Sequence, residues 1–350
     1  MSETKLLSEI ATLQYGGAFS SKEFNVEGKG LPLVRIRDVQ RGYSETYFDG
    51  LYDEKYLVSD GDFLISMDGN FNLGQWQGGR ALLNQRVCLI RDTSDEVDLR
   101  YLVAILPRYL AEIEARTPFV TVKHLSAKAL NAIMIPIPDL QEQKRIADQY
   151  FLQKLIKQKR ELQQELYTEL ERSLFVSIFG NPENWANKCE MTTIGGLAES
   201  TQYGTSAKAG ATGEYPVLRM GNITDDGKLD LSDLKYMDLS PEEVEKYTVR
   251  KGDLLFNRTN SKEKVGKAAV VLTDEKLAYA GYLVRVRFKN PDHAHFVAAF
   301  LNSDYGRRLR RKLAKTAVNQ ANINAKELTK IPILEPENAK MIKFKNFITL

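Results

Sequence analysis

The sequence predicts a mixed α/β (α+β) protein of two globular lobes with one long helix between them. Three observations predict it. A set of short motifs occurs twice in the same order, about 190 residues apart. Leu140 to Phe179 contains neither glycine nor proline. Within each copy, stretches of strand-type alternation precede stretches of helical spacing.

The repeat comes first, because it sets the whole architecture. Tyr15-Gly16 recurs as Tyr203-Gly204. Pro32-Leu33-Val34-Arg35-Ile36-Arg37-Asp38-Val39 lines up with Pro216-Val217-Leu218-Arg219-Met220-Gly221-Asn222-Ile223. Tyr56 through Ile65 lines up with Tyr247 through Phe256, and Ile135-Pro136-Ile137 with Ile331-Pro332-Ile333. Leu33–Val39 and Val217–Ile223 alternate as half-buried strands do. Gly61-Asp62 and Gly252-Asp253 are turn signals before further strands. Arg86–Arg91 and Tyr282–Phe288 read as strands, Leu99–Glu114 and Ala294–Lys315 as helices.

The segment between the copies is rich in Gln, Glu, Lys, Arg and Leu. Asp139 is a plausible N-cap and Gly180-Asn181-Pro182 a strong stop. At 1.5 Å per residue, 40 residues make a rod of about 60 Å. Leu152, Leu155, Leu162 and Leu166 form a narrow seam, continued at four-residue steps by Leu170 and Leu174. A stripe that narrow suits one partner helix. The expected domains are residues 1–138, a coiled-coil spacer helix at 139–181, residues 182–334, and the start of a second, truncated spacer helix at 335–350.

Composition excludes several classes. With 43% hydrophobic and 27% charged residues the chain can bury real cores. No run of 18 apolar residues occurs, so no membrane helix is expected, and the N-terminus has no signal-peptide pattern. Two cysteines allow no disulfide framework, and a cytoplasmic location is the default. No phosphate loop and no dinucleotide fingerprint is present. Asn181-Pro182-Glu183-Asn184-Trp185 resembles an adenine-methyltransferase loop, but helix termination explains it better. Asp53-x-Lys55 and Asp274-x-Lys276 fit part of a nuclease triad, as short charged triplets do by chance. His293-Ala-His295 has no carboxylate or cysteine cluster around it, so no metal site is expected. No nucleophile, base and oxyanion hole assemble.

The positive signal is polar and basic. Net charge is only +3, yet Gly306 to Ala325 contains no acid and carries Arg307, Arg308, Arg310, Arg311, Lys312 and Lys315. A run of one sign suits phosphate contact. Asn319, Gln320 and Asn322 follow, and amides can read adenine in the major groove. Arg258, Asn260, Lys262 and Lys264 form a basic loop after a strand. The matching loop of the first copy holds Asn70, Asn72, Gln75 and the indole of Trp76, suited to base edges and stacking. The candidate DNA-binding residues are Arg35, Arg37, Asn70, Asn72, Gln75, Trp76, Lys123, Arg219, Asn222, Arg258, Asn260, Lys262, Lys264, Arg307, Arg308, Arg311, Gln320 and Asn322. No catalytic residue is expected.

Ile135-Pro136-Ile137-Pro138-Asp139-Leu140-Gln141-Glu142-Gln143-Lys144-Arg145-Ile146 resembles the "IPLPPLxEQxxI" opening of the spacer helix in specificity subunits of type I restriction–modification enzymes. Ser173-Leu174-Phe175 through Phe179-Gly180-Asn181-Pro182 resembles the exit from that helix. Gln320-x-Asn322-Ile323 resembles an element late in the family's target recognition domains. The first copy has Val120-Thr121-Val122-Lys123-His124-Leu125 there, without the glutamine. The resemblance covers essentially the whole chain and implies a non-catalytic reader of double-stranded DNA. Each recognition domain would read half of a bipartite site, and the helices would act as a ruler. Methyltransferase subunits would dock along them, and a restriction/translocase subunit would join. S-adenosylmethionine, ATP and Mg would belong to those partners. The short C-terminus departs from the family and leaves a seam open to self-association. The alternative reading is a standalone restriction enzyme fragment with its own nuclease or methyltransferase activity.

Overall fold

Each copy of the repeat is built on a four-stranded antiparallel sheet, as the computed structural model shows; residues 3–117, 123–188, 190–317 and 320–348 are described. Val120–Val122, Cys189, Asn319 and residues 349–350 lie outside them. The chain forms two compact units, Met1–Arg160 and Glu161–Leu350, which divide inside the helix Leu140–Phe179.

In the first unit the sheet runs in the order Ala11–Tyr15, Val87–Thr93, Phe63–Ser66, Leu73–Gln75. In the second it runs Ala198–Tyr203, Leu283–Phe288, Leu254–Asn257, Ala268–Val270. Each unit carries a second sheet, of five strands in the first and four in the second, with one parallel pair, Leu31–Val34 with Ala81–Leu83 and Tyr215–Leu218 with Leu277–Tyr279. The matched glycines explain themselves here. A Cβ on Gly16 would lie 2.1 Å from the Asn84 carbonyl oxygen, and one on Gly204 2.3 Å from that of Ala280. Only a residue without a Cβ lets the two backbones meet this closely. Gly61 and Gly252 both have positive φ, 94° and 88°.

The strands expected at Leu33–Val39 and Val217–Ile223 stop at Val34 and Leu218. Asp38 Oδ2 accepts from the Arg35 N–H (3.0 Å) and Asn222 Oδ1 from that of Arg219 (2.8 Å). These short polar side chains close turns, which the alternation concealed. The helix expected at Ala294–Lys315 is two, His293–Asn302 and Asp304–Leu313, because Ser303 breaks the ladder and caps the second at Gly306.

The long helix is anchored at both ends. Ile135 is buried in the strand Met134–Ile137, which pairs with Glu3–Leu6. The Pro136 carbonyl accepts from Tyr101 Oη (2.7 Å), and Asp139 caps the Glu142 N–H (2.9 Å). Gln143 is fully buried: its Nε2 donates to the carbonyls of Glu96 (2.8 Å) and Pro138 (2.9 Å), and its Oε1 accepts from the Asp98 N–H (2.9 Å). At the far end Phe175 and Phe179 enter the second unit's core with Trp185, Phe296 and Phe344. Phe344 belongs to the C-terminal helix Asn338–Ile348, which packs into this core through Met341 and Phe344. Gly180, at φ 79°, ends the long helix. Among the described residues no helix is long and apolar enough to cross a membrane.

Candidate nucleic-acid interface

In both units the third strand of the main sheet is buried along its whole length and then releases a loop. In the first unit Ser66 closes that loop, its hydroxyl donating to the Asn70 carbonyl (2.7 Å) and accepting from the Asn72 N–H (2.8 Å). Asn70 and Gln75 stay exposed and Asn72 half-buried. The loop is latched to the chain that returns at residues 123–125: the Gly69 N–H donates to the Lys123 carbonyl (2.9 Å) and the Leu125 N–H to that of Met67 (2.7 Å). Asp68 receives His124 Nδ1 at 2.6 Å and Arg86 Nε at 3.3 Å.

The second unit repeats the latch with other side chains. Thr259–Asn260 pairs with Gln320–Asn322, which continues to Lys315–Ala317 as a three-stranded sheet. Asn322 Nδ2 donates to Thr259 Oγ1 (2.7 Å), and the Ile323 N–H donates to the Arg258 carbonyl (2.9 Å). Lys262, Lys264 and Gln320 are exposed, and Asn260 is half-buried. The loop 261–266 abuts the helix Asp304–Leu313, since a Cβ on Gly266 would lie 2.5 Å from Arg310 Cδ. Loop, hairpin and basic helix therefore adjoin within this unit.

Several expected contacts prove to be internal supports. Trp76 is fully buried among Val34, Val58, Leu64 and Leu83, its Nε1 donating to the Gly79 carbonyl (2.7 Å), so its indole presents no face for stacking. Asn222 is buried, and its Nδ2 donates to the carbonyls of Asp230 (2.8 Å) and Asp233 (3.0 Å). Arg219 pairs with the Asp233 carboxylate at 2.8 Å. Arg35 donates to Thr46, and Lys123 Nζ to the Glu114 carbonyl (2.8 Å). Asn322 is the latch itself. Arg258 lies over the Tyr203 ring at 4.7 Å. Arg37 remains exposed beside Asp38.

The basic run is less uniform in space than in sequence. Arg308 pairs with Glu183, and Lys315 with Glu327 at 2.6 Å. Arg310 is only 4% exposed, its Nε and Nη1 have no partner, and burial pushes its pKa down to about 10. Arg307 is drawn inward, donating to the Asn302 carbonyl (3.0 Å), and burial lowers its pKa too. Arg311 and Lys312 face solvent. Among the described residues of loop and helix, Lys262, Lys264, Arg311 and Lys312 are thus the exposed cations outside these ion pairs, the last not among the expected contacts.

On the long helix, Leu152 and Leu166 are each 57% exposed, and Leu155, Leu162 and Leu170 are exposed as well. Leu174 is partly buried against the second core. Asp53 and Lys55 pair with each other at 2.8 Å, and Asp274 with Lys251 at 3.5 Å. Among the described residues no three His, Cys, Asp or Glu side chains stand together as metal ligands.

The sequence reading passes over Asp68, Arg86 and His124. The signal lay in the repeat: Leu125 and Ile323 fill one slot, which sets His124 against Asn322.

The family profile described as type I restriction modification DNA specificity domain matches residues 2–172 and 186–344, one match in each half. The chain is 45% identical over 142 residues to the type I restriction enzyme EcoBI specificity subunit of Escherichia coli, covering 41% of this chain and 30% of that protein. It is 24% identical over 256 residues to the EcoKI specificity subunit of Escherichia coli (strain K12), covering 67% of this chain and 54% of that one. The chain thus spans at most about half the length of these two relatives. In fold it is similar to the type I restriction-modification S subunit from M. genitalium, with a TM-score of 0.57 at 15% identity, over 99% of this chain and 92% of the other.

Proposed function

The chain belongs to the family of type I restriction–modification DNA specificity domains, and from that premise we propose that it is a DNA-reading subunit whose two units each recognise half of a bipartite site. The observation that carries this reading is the repeated latch. In each unit one hydrogen-bonded pair, Asp68 with His124 or Asn322 with Thr259, holds a polar loop at the end of a buried strand. A rigid strand with a pinned loop can hold side chains against base edges, while exposed cations hold the phosphates. The chain itself performs no chemistry. Methyltransferase subunits that bind S-adenosylmethionine dock along the long helix, and a restriction/translocase subunit brings ATP- and Mg-dependent work, in the cytoplasm.

Expression of the chain with methyltransferase subunits, followed by mapping of methylated adenines, tests this reading. It expects two short sequences separated by a fixed gap. Methylation by this chain alone would overturn it. Within the complex, replacing Lys262, Lys264 and Arg311 with Ala is expected to weaken binding to all sequences alike. The slope of log affinity against log salt should fall by about one unit for each phosphate contact removed. A relaxed target sequence with an unchanged slope would instead make these residues base readers.

The exposed leucines carry a second expectation. Without methyltransferase subunits, the apolar stripe at Leu152, Leu155, Leu162 and Leu166 is expected to pair with that of a second copy. Light scattering at tens of micromolar, about the range of a modest interface, should report a dimer, and Leu162→Glu with Leu166→Glu a monomer. A monomeric parent chain at that concentration would sink this expectation.

A further inference from the structure

The latch of the first unit differs from that of the second in one chemical respect. Asn322 and Thr259 satisfy each other as neutral groups on a half-buried ladder. At the same slot, His124 is 49% exposed while the Asp68 carboxylate beneath it is 20% exposed. A carboxylate can only accept, so the 2.6 Å contact places the ring proton on Nδ1. The backbone bridge between Asp68 and His124 and the Arg86 guanidinium at 3.3 Å fix the carboxylate in turn. The imidazole is therefore oriented through a carboxylate that is itself held in place, much as a metal-bound histidine is oriented by a second carboxylate. Its other nitrogen, Nε2, is left as an acceptor in the neutral ring. Asn70, two residues beyond Asp68 on the loop released by the buried strand, is exposed as well.

We propose that His124, positioned by Asp68, is a base-reading residue of the first unit, its Nε2 accepting from the exocyclic amino group of adenine or cytosine in the major groove. The inference rests on the DNA-reading role above and adds to it a named residue and a base chemistry. A phosphate is the poorer ligand here, because an unprotonated Nε2 has no proton to give it, whereas an exocyclic amino group donates one. In the major groove only adenine and cytosine offer an amino donor, so this contact separates them from guanine and thymine on the contacted strand. Asp68 is a positioning residue: it touches no base and acts through the ring.

The test uses the complex with methyltransferase subunits and a DNA library with both half-sites randomised, read by methylation. The parent should require adenine or cytosine at one position of one half-site. His124→Ala should relax that base pair by about five- to tenfold, the worth of one hydrogen bond, and leave the other half-site unchanged. Asp68→Ala should blur the same position. Asp68→Asn, whose amide oxygen can still accept from Nδ1–H, should retain most of the preference. His124→Asn copies the residue at this slot of the second unit and can keep the latch, so it guards against a folding defect; it should alter the preference at that position. Half-sites unchanged in both His124→Ala and His124→Asn, or both half-sites relaxed together, would overturn the inference. A parent complex without preference in either half-site would instead overturn the DNA-reading role itself.

Discussion

Deleting Lys159–Glu165 from the long helix is expected to shorten the preferred gap between the two half-sites by about three base pairs while both half-site sequences stay the same. Seven residues make two helical turns to within about 20°, so the deletion removes length with little rotation. A cut of two or five residues would turn one unit away from its groove. The loss is about 10 Å of helix, against about 3.4 Å per base-pair step. The deleted segment lies between the two anchors of the helix. Gln143 and Ala147 are buried in the first unit, and Phe175 and Phe179 in the second, whereas Leu162 is exposed. Neither core should therefore be disturbed. Methylation of a library with fixed half-sites and variable spacers gives the readout. A preferred spacer that does not move would reduce the helix to a tether.

Replacing Asp253 with Ala is expected to destabilise the second unit by about 3–5 kcal/mol. Asp253 is buried under the turn that precedes the central strand. Its carboxylate accepts from the Arg250 N–H (3.0 Å) and from Arg287 Nε (3.1 Å), with Arg285 Nε at 3.9 Å. Arg285 is itself buried, and burial lowers its pKa. Among the described residues Asp253 is the only carboxylate paired with these two guanidinium groups, so its removal leaves buried positive charge unpaired, which costs far more than the lost hydrogen bonds. The equivalent residue of the first unit, Asp62, only caps the Ser59 N–H (2.8 Å), so Asp62→Ala should cost about 1 kcal/mol. Urea titration of both variants makes the comparison. A loss for Asp253→Ala no larger than that for Asp62→Ala would show that the arginines find other partners.

The architecture was legible because it rests on backbone rules that sequence carries openly. Forty residues without glycine or proline between a capping aspartate and a Gly-Asn-Pro stop leave little alternative to one helix. Matched glycines marked places where backbones touch. The candidate interface was legible only in part, because residues that build a turn and residues suited to reading a base have the same chemistry. Asn222 and Asn322 are amides spent on carbonyls and a hydroxyl, and Trp76 is an indole spent on packing. Nor could the run from Arg307 to Lys315 reveal its own neutralisation. Glu183, which pairs with Arg308, lies 125 residues away in the chain. The same distance effect hid His124, whose significance depends on Asp68, 56 residues earlier.

The buried amide of Gln143 bears on how such proteins can be recombined. A recognition module would naturally be cut at the prolines, where the sheet ribbon ends and the helix begins. Gln143 lies beyond that cut, yet it holds the carbonyls of Glu96 and Pro138 and the N–H of Asp98. A hybrid joined at Asp139 to an unrelated module would ask this amide to find three new partners, and each buried polar group left unmatched costs about 1–3 kcal/mol. The first turns of the helix thus travel with the module before them, as Phe175 and Phe179 travel with the one that follows. The interchangeable joint lies in the exposed middle of the helix, around Leu155 to Leu162, where a splice breaks no core and need only preserve the helical phase.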